Sequence, residues 1–170
     1  MRPAKNADVP AIAAIYAHHV ITDTASFELE APGADEMQRR FQDTVAHGFP
    51  YLVAEDGGRV AGYAYASAYR ARPAYRYTVE DSVYVDAAHL RRGIGSALLR
   101  ALIAHCEERR YRQMVAIIGG SQHAASIALH ASLGFERAGV LRDVGRKFER
   151  WLDTVLMQRG LGPGSGAPPQ

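Results

Sequence analysis

The stretch TVEDSVYVDAAHLRRGIGSALL, residues 78–99, constrains the chain more than any other. A β-branched run leads through a polar turn into two arginines and two glycines, and then directly into an amphipathic pattern. With a two-residue period, Val79, Asp81, Val83 and Val85 share one side and Thr78, Glu80, Ser82 and Tyr84 the other. Two acidic side chains inside so strand-prone a run are costly if buried without partners, so the run alone reads as a half-exposed strand. The residues after Asp86 argue for a site. Gly93 and Gly95 leave backbone N–H groups open to an approaching anion, and a helix starting there offers unsatisfied donors and the positive end of its dipole. Arg91 and Arg92 add two guanidinium groups, which suit a pyrophosphate better than a single carboxylate. Ile94, Ala97, Leu98, Ala101, Leu102 and Cys106 recur at three and four residues as the expected buried stripe of that helix, and Glu107, Glu108, Arg109 and Arg110 mark its end.

Neither common phosphate loop is present: there is no G-x-G-x-x-G and no G-x-x-x-x-G-K-[ST]. The order R-R-G-I-G-S at 91–96 instead resembles the acetyl-CoA loop of the GCN5-related N-acetyltransferase (GNAT) superfamily, Q/R-x-x-G-x-G/A, with Gly93 and Gly95 as its glycines. Leu90 stands where that family has Gln or Arg.

The rest of the chain bounds the alternatives. With 170 residues, 48% of them hydrophobic, one domain with a sizeable core is expected. A formal charge of +2, with no Lys/Arg run interleaved with aromatics, argues against a nucleic-acid partner. The single cysteine excludes an internal disulfide and fits a reducing compartment. No apolar signal region opens the chain, and no apolar run reaches the roughly 18 residues of a membrane span. A soluble cytoplasmic protein without a membrane partner is expected.

Along the chain, residues 1–5 predict a short edge strand. Asp8 predicts an N-cap for a first helix that buries Val9, Ile12, Ile15, Tyr16 and Val20. A second helix over 35–47 would bury Met37, Phe41 and Val45. Strands over 51–55 and 60–69 flank Asp56-Gly57-Gly58-Arg59, a hairpin signal. After the central strand and helix come a buried strand over 114–118, a short helix over 124–133 closed by Gly134, and strands over 135–141 and 148–158, with Trp151 read as core or interface packing. The order β-α-α-β-β-β-α-β-α-β-β implies an α/β fold, in which the two later helices cross over between neighbouring strands. It matches the GNAT plan, a mixed and mostly antiparallel sheet flanked by about four helices. The domain is expected over 1–159, followed by a Gly/Pro-rich, disordered tail over 160–170.

Five further segments are similar to the phosphinothricin and methionine sulfoximine N-acetyltransferases within that superfamily: IAAIYAHHVITDTASFE at 12–28, YLVAEDGGRVAGYAYA at 51–66, RARPAYRYTVEDSVYV at 70–85, ASIALHASLGF at 125–135 and VGRKFERWLDTVLMQ at 144–158. The resemblance implies Glu80 as general base and His130, in the LH pair, as a candidate acid. It implies backbone contacts from Val83, Tyr84 and Val85 to a pantetheine arm, and a pyrophosphate held by Arg91, Arg92, Gly93, Ile94, Gly95 and Ser96. His123, where relatives carry an asparagine, and Ser126 fall at the cofactor. Phe27, Glu28, Arg70, Arg72, Tyr75, Thr78, Lys147 and Phe148 fall at the amine substrate. The implied co-substrate is acetyl-CoA, no metal is implied, and relatives suggest a homodimer.

Such chemistry needs these groups because an α-amine is protonated at neutral pH and must lose a proton before attacking a thioester. Strand N–H groups polarise the thioester carbonyl, and a nearby donor can protonate the leaving thiolate. Cys106 continues an apolar stripe and reads as core. His18 and His19 are adjacent on a helix and do not make a metal pair. Two other readings stay open: an acetyltransferase for a polyamine, aminoglycoside or protein N-terminus, and a non-catalytic acyl-CoA-binding module.

Overall fold

The alternation of strand and helix signals resolves into a single seven-stranded sheet covered on both faces. The computed structural model describes residues 1–168. Its strands are β1 (Arg2–Pro3), β2 (Tyr51–Asp56), β3 (Arg59–Ala68), β4 (Thr78–Val85), β5 (Gln113–Gly119), β6 (Glu136–Lys147) and β7 (Arg150–Gly160). Its helices are α1 (Val9–Thr22), α2 (Ala34–Ala46), α3 (Ile94–Glu108) and α4 (Ala124–Ser132). The sheet order is β1-β2-β3-β4-β5-β7-β6, and β4 and β5 are its one parallel pair of neighbours.

The two-residue period divides the core. Leu52, Ala54, Ala64, Ala66 and Val79 pack with Leu98, Leu102 and Cys106 of α3 on one face. Tyr51, Val53 and Tyr63 pack with Ile12, Ile15 and Val20 of α1 on the other. Burial of this kind contributes roughly 1.5–3 kcal/mol per large side chain, so the two clusters dominate the fold. Gly62 permits the close seat of α3, because a Cβ there would meet the Tyr84 carbonyl oxygen at 2.8 Å and Leu98 at 3.2 Å. The Asp56–Arg59 hairpin turns through Gly57 and Gly58, both at positive φ (56° and 77°), as a two-residue turn of that kind requires.

All five residues expected on the buried face of α1 are buried. On α2, Met37 and Phe41 are buried but Val45 is 47% exposed, because it stands in the last turn, where the chain leaves through Gly48 at φ 78°. On α3 the buried set is Leu98, Leu99, Leu102, Ile103 and Cys106. Ala97 is exposed, because the helix lies on the sheet along a broad stripe of adjacent pairs. The second crossover also differs from expectation. Helix α4 leads from β5 to β6, yet β7 inserts between them and pairs antiparallel with both.

Strand β6 runs six residues further than expected, to Lys147, and the hairpin it forms with β7 extends past the end of β5, whose pairing stops at Gly119↔Thr154. Trp151 lies on that overhang and is 63% exposed, so it is not core. Beyond β7, Leu161 has no exposed surface and packs into the core, and its N–H donates to the Arg112 carbonyl. Packed chain therefore reaches past 159. Residues 169 and 170 of the expected tail lie outside the described residues. Among the described residues no helix is long and apolar enough to cross a membrane.

Candidate active site

Strands β4 and β5 pair from Thr78↔Gln113 to Asp81↔Ala116 and then part. Beyond that point β4 keeps only β3, and β5 keeps only β7. Each strand is left with one open edge of N–H and C=O groups, which must find partners in water or a ligand. A cleft of about 460 Å³ opens at the fork, lined by Glu80, Val83, Tyr84 and Val85 of β4 and by His123, Ser126 and His130 at α4.

The start of α3 abuts this cleft. Gly95 sits so close that a Cβ on it would lie 3.4 Å from Leu129 and 3.5 Å from Val85. Arg91 (φ 58°) and Gly93 (φ 78°) bracket Arg92 in left-handed conformations, the kind of turn that gathers successive N–H groups into an anion-binding concavity. No side chain caps the helix at Gly93, so the first-turn donors of Ile94, Gly95 and Ser96 are open to an anion. Arg92 is held at the rim by Asp56 (Nη1 to Oδ2, 2.8 Å). The residues present thus fit a ligand with a pyrophosphate at one end and a thin, hydrogen-bonding arm lying along the open edge of β4. At α4 the His123 imidazole accepts from the Ser126 N–H at 3.4 Å and caps that helix, leaving its other ring nitrogen for a ligand.

Glu80 lies at the fork with its side chain half-buried. Burial first, then the neighbouring Asp81 charge, push its carboxyl from 4.5 to about 7, against the opposing pull of Arg70. Asp81 points to the other face, against α4, where its Oδ2 meets His130 Nε2 at 3.0 Å. His130 Nδ1 is 2.7 Å from the Ser126 carbonyl oxygen, so both ring nitrogens of His130 are engaged.

The loop between α1 and α2 forms the opposite wall. Phe27 lines the cleft, and its ring occupies space that a Cβ on Gly145 or, at 2.7 Å, on Gly119 would invade. Thr24 Oγ1 donates to the Gly119 carbonyl at 3.1 Å. Lys147, expected to meet substrate, is instead buried, and its Nζ donates to the Ser26 carbonyl at 2.7 Å. Glu28 also turns from the cleft, accepting from the Tyr16 hydroxyl (2.9 Å) and Arg40 Nη1 (2.6 Å). Both residues brace the loop that carries Phe27. Phe148 sits outside the cleft at the β6–β7 turn, 48% exposed at φ 50°. Arg70, Arg72 and Tyr75 are exposed around a single 3-10 turn at Pro73–Tyr75, with Arg70 near enough to act on Glu80. Thr78 lies at the closed end of the fork, paired with Gln113.

Two residues of the site were not singled out from the sequence. Asp81 was legible only as the second acid of a buried-prone strand, which requires a partner. His19 gave no local signal: its Nε2 donates to the Val85 carbonyl at 2.9 Å while its Nδ1 meets Asp23 Oδ2 at 2.8 Å. Cys106 is fully buried, and burial pushes its thiol up to about 12, so it is not a nucleophile. Among the described residues no cluster of His, Cys, Asp and Glu is placed to hold a metal ion.

A carboxyl raised to about 7, an open strand edge and an uncapped helix start lie together around one cleft, an arrangement chemically compatible with acyl transfer from a phosphate-bearing carrier. Residues 16–135 match the model of the Acetyltransferase (GNAT) family. The chain is 52% identical over 170 residues to a phosphinothricin N-acetyltransferase of Alcaligenes faecalis, covering all of this chain and 86% of that relative. It is 42% identical over 169 residues to an L-methionine sulfoximine/L-methionine sulfone acetyltransferase of Pseudomonas aeruginosa, covering 99% of this chain and 98% of that one. A crystal structure of a phosphinothricin acetyltransferase from Sinorhizobium meliloti in complex with acetyl-CoA matches with a TM-score of 0.97 at 46% identity, over 99% of this chain and 91% of that chain. By fold, site and sequence, the chain belongs to the acetyltransferase (GNAT) family.

Proposed function

We propose that this protein is an acetyl-CoA-dependent N-acetyltransferase that acts on the α-amine of small amino-acid analogues of the phosphinothricin, methionine sulfoximine and methionine sulfone type, by direct attack with Glu80 as general base. The observation that carries the reading is Glu80 itself, at the fork of β4 and β5 and poised at about 7. A carboxyl so poised is ionised in a large fraction of molecules at neutral pH yet basic enough to take a proton from an ammonium group. When bound, acetyl-CoA supplies an activated acyl carbon and a thiolate leaving group. The main chain of Val83, Tyr84 and Val85 orients the pantetheine arm and polarises the carbonyl. Arg91, Arg92 and the first N–H groups of α3 hold the pyrophosphate, with His123 and Ser126 at the α4 side. Phe27 walls the amine pocket, and Arg70, Arg72 and Tyr75 offer cationic and polar groups to the substrate carboxylate, which disfavours polyamines and aminoglycosides.

The same reading puts the enzyme in the cytoplasm and makes it a homodimer. Support for the dimer comes from the β6–β7 overhang, where Leu141, Val144, Phe148 and Trp151 expose between 48% and 63% of their surface, next to an edge strand that has no partner among the described residues. The test of function is release of free thiol from acetyl-CoA mixed with the purified protein and each amine. Release with phosphinothricin or methionine sulfoximine supports the reading, and no release with any amino-acid analogue refutes it.

A further inference from the structure

The proposed base leaves a buried acid–base pair unused on the opposite face of the same strand. Asp81 and His130 have side chains 1% and 6% exposed and meet at 3.0 Å, Oδ2 to Nε2. The ring geometry limits where the protons can be. His130 Nδ1 lies 2.7 Å from a carbonyl oxygen, that of Ser126, and so carries a hydrogen. Its Nε2 faces a carboxylate oxygen, so a proton lies on that bond as well, and although burial opposes the charged ring, the Asp81 hydrogen bond and charge hold the imidazole's proton affinity above its ordinary value, which favours the charged ring. Phe135 closes the remaining side, edge-on to the imidazole with ring centroids 5.0 Å apart. The ring therefore has one orientation, set from three directions, and it lines the cleft at the fork. Asp81 Oδ1 is buried and has no hydrogen-bond partner among the described residues, so His130 supplies the one hydrogen bond this buried carboxyl makes.

We propose that Asp81 is a positioning residue for the acetyl transfer, holding His130 as an imidazolium of fixed orientation in the floor of the cleft. The inference rests on the acetyltransferase reading above. It gives His130 a role distinct from that of a free acid or base: a lone pair is unavailable on either nitrogen, so proton abstraction falls to Glu80, while the cation stands near the charge that develops as the thioester opens. The titratable groups facing the pair are few. Cys106 looks at Asp81 from α3 and is a neutral thiol. Glu80 precedes Asp81 on β4, with Arg70 and Tyr65 acting on Glu80 from the β3 side. His123 shares the cleft wall at the start of α4.

The test uses the full-length protein with isotope-labelled histidine, His130 being assigned by its loss in His130→Gln. In wild type without acetyl-CoA, both ring nitrogens of His130 keep their protons above the ordinary histidine value of about 6.5. In Asp81→Asn and Asp81→Ser its midpoint falls by about one pH unit or more. With acetyl-CoA and a turned-over amine, Asp81→Asn lowers kcat while its acetyl-CoA KM changes by less than about twofold. The wild-type to variant kcat ratio narrows from about tenfold at pH 8.5 to about twofold at pH 6, as acid restores the imidazolium in the variant. A ratio flat with pH, a His130 midpoint unmoved in the variants, or a wild-type His130 already neutral at about pH 7.5 overturns the proposal. The NMR arm needs no turnover, so it judges Asp81 even if no amine tried is a substrate.

Discussion

Replacing Glu80 by glutamine should make the fold more stable above neutral pH while disabling the proposed reaction. The carboxyl titrates near 4.5 in an unfolded chain and at about 7 in the fold, with burial as the main cause. Between those values the unfolded chain gives up this proton and the folded chain keeps it. The contribution of Glu80 to stability is therefore full below about 4.5, falls as pH rises, and is fully lost above about 7. At about 1.4 kcal/mol per tenfold change in affinity, the gap sets an upper bound of about 3 kcal/mol. Glu80 keeps some solvent contact, which reduces the expected gain in Glu80→Gln to about 1–2 kcal/mol at pH 8. Urea unfolding of both proteins at about pH 4.5 and pH 8 measures it, because the difference between them isolates this one group from the other carboxylates. The variant should match wild type at the lower pH and exceed it at the higher. Equal stability at both, or a variant weaker at pH 8, would refute the claim that Glu80 is held in an environment hostile to its charge.

Gly93→Ala places a Cβ in open space but at φ 78°, so it should cost about 1–2 kcal/mol of stability from backbone strain alone and weaken acetyl-CoA binding, measured by calorimetry, about tenfold. Lys147→Met removes the donor to the buried Ser26 carbonyl. It should cost about 2 kcal/mol by urea unfolding and raise the amine KM through a displaced Phe27, with acetyl-CoA affinity unchanged. Trp151→Glu puts a charge on the exposed β6–β7 overhang and should convert a dimer into a monomer by light scattering, with the thiol-release rate per chain as the accompanying readout.

The order of elements was readable because each segment announced its own period: alternation in β4, the three-and-four spacing of α1, and the glycines that start α3 and close the first hairpin. The insertion of β7 between β5 and β6 was not, since nothing local in either strand records which neighbour it will take. Site residues divide the same way. Glu80 and the 91–96 turn sit together in one stretch, so the sequence alone juxtaposes them. Lys147 and Ser26 are 121 positions apart, and a lysine in a strand gives no sign that its ammonium will end buried on a loop carbonyl. The Asp81–His130 pair joins residues 49 apart. Half of it was implied by the cost of an unpaired aspartate, but the partner could only come from the crossover that lays α4 beside the fork.

The central claim is that Glu80 takes the amine's proton, and the pH dependence of kcat/KM for the amine in wild type and Glu80→Gln tests it most directly, with acetyl-CoA affinity measured alongside. Wild type should show an acid limb with a midpoint near 7, and the variant should bind acetyl-CoA normally yet turn over about 100-fold or more slowly without that limb. A variant that keeps both the rate and the limb would contradict it.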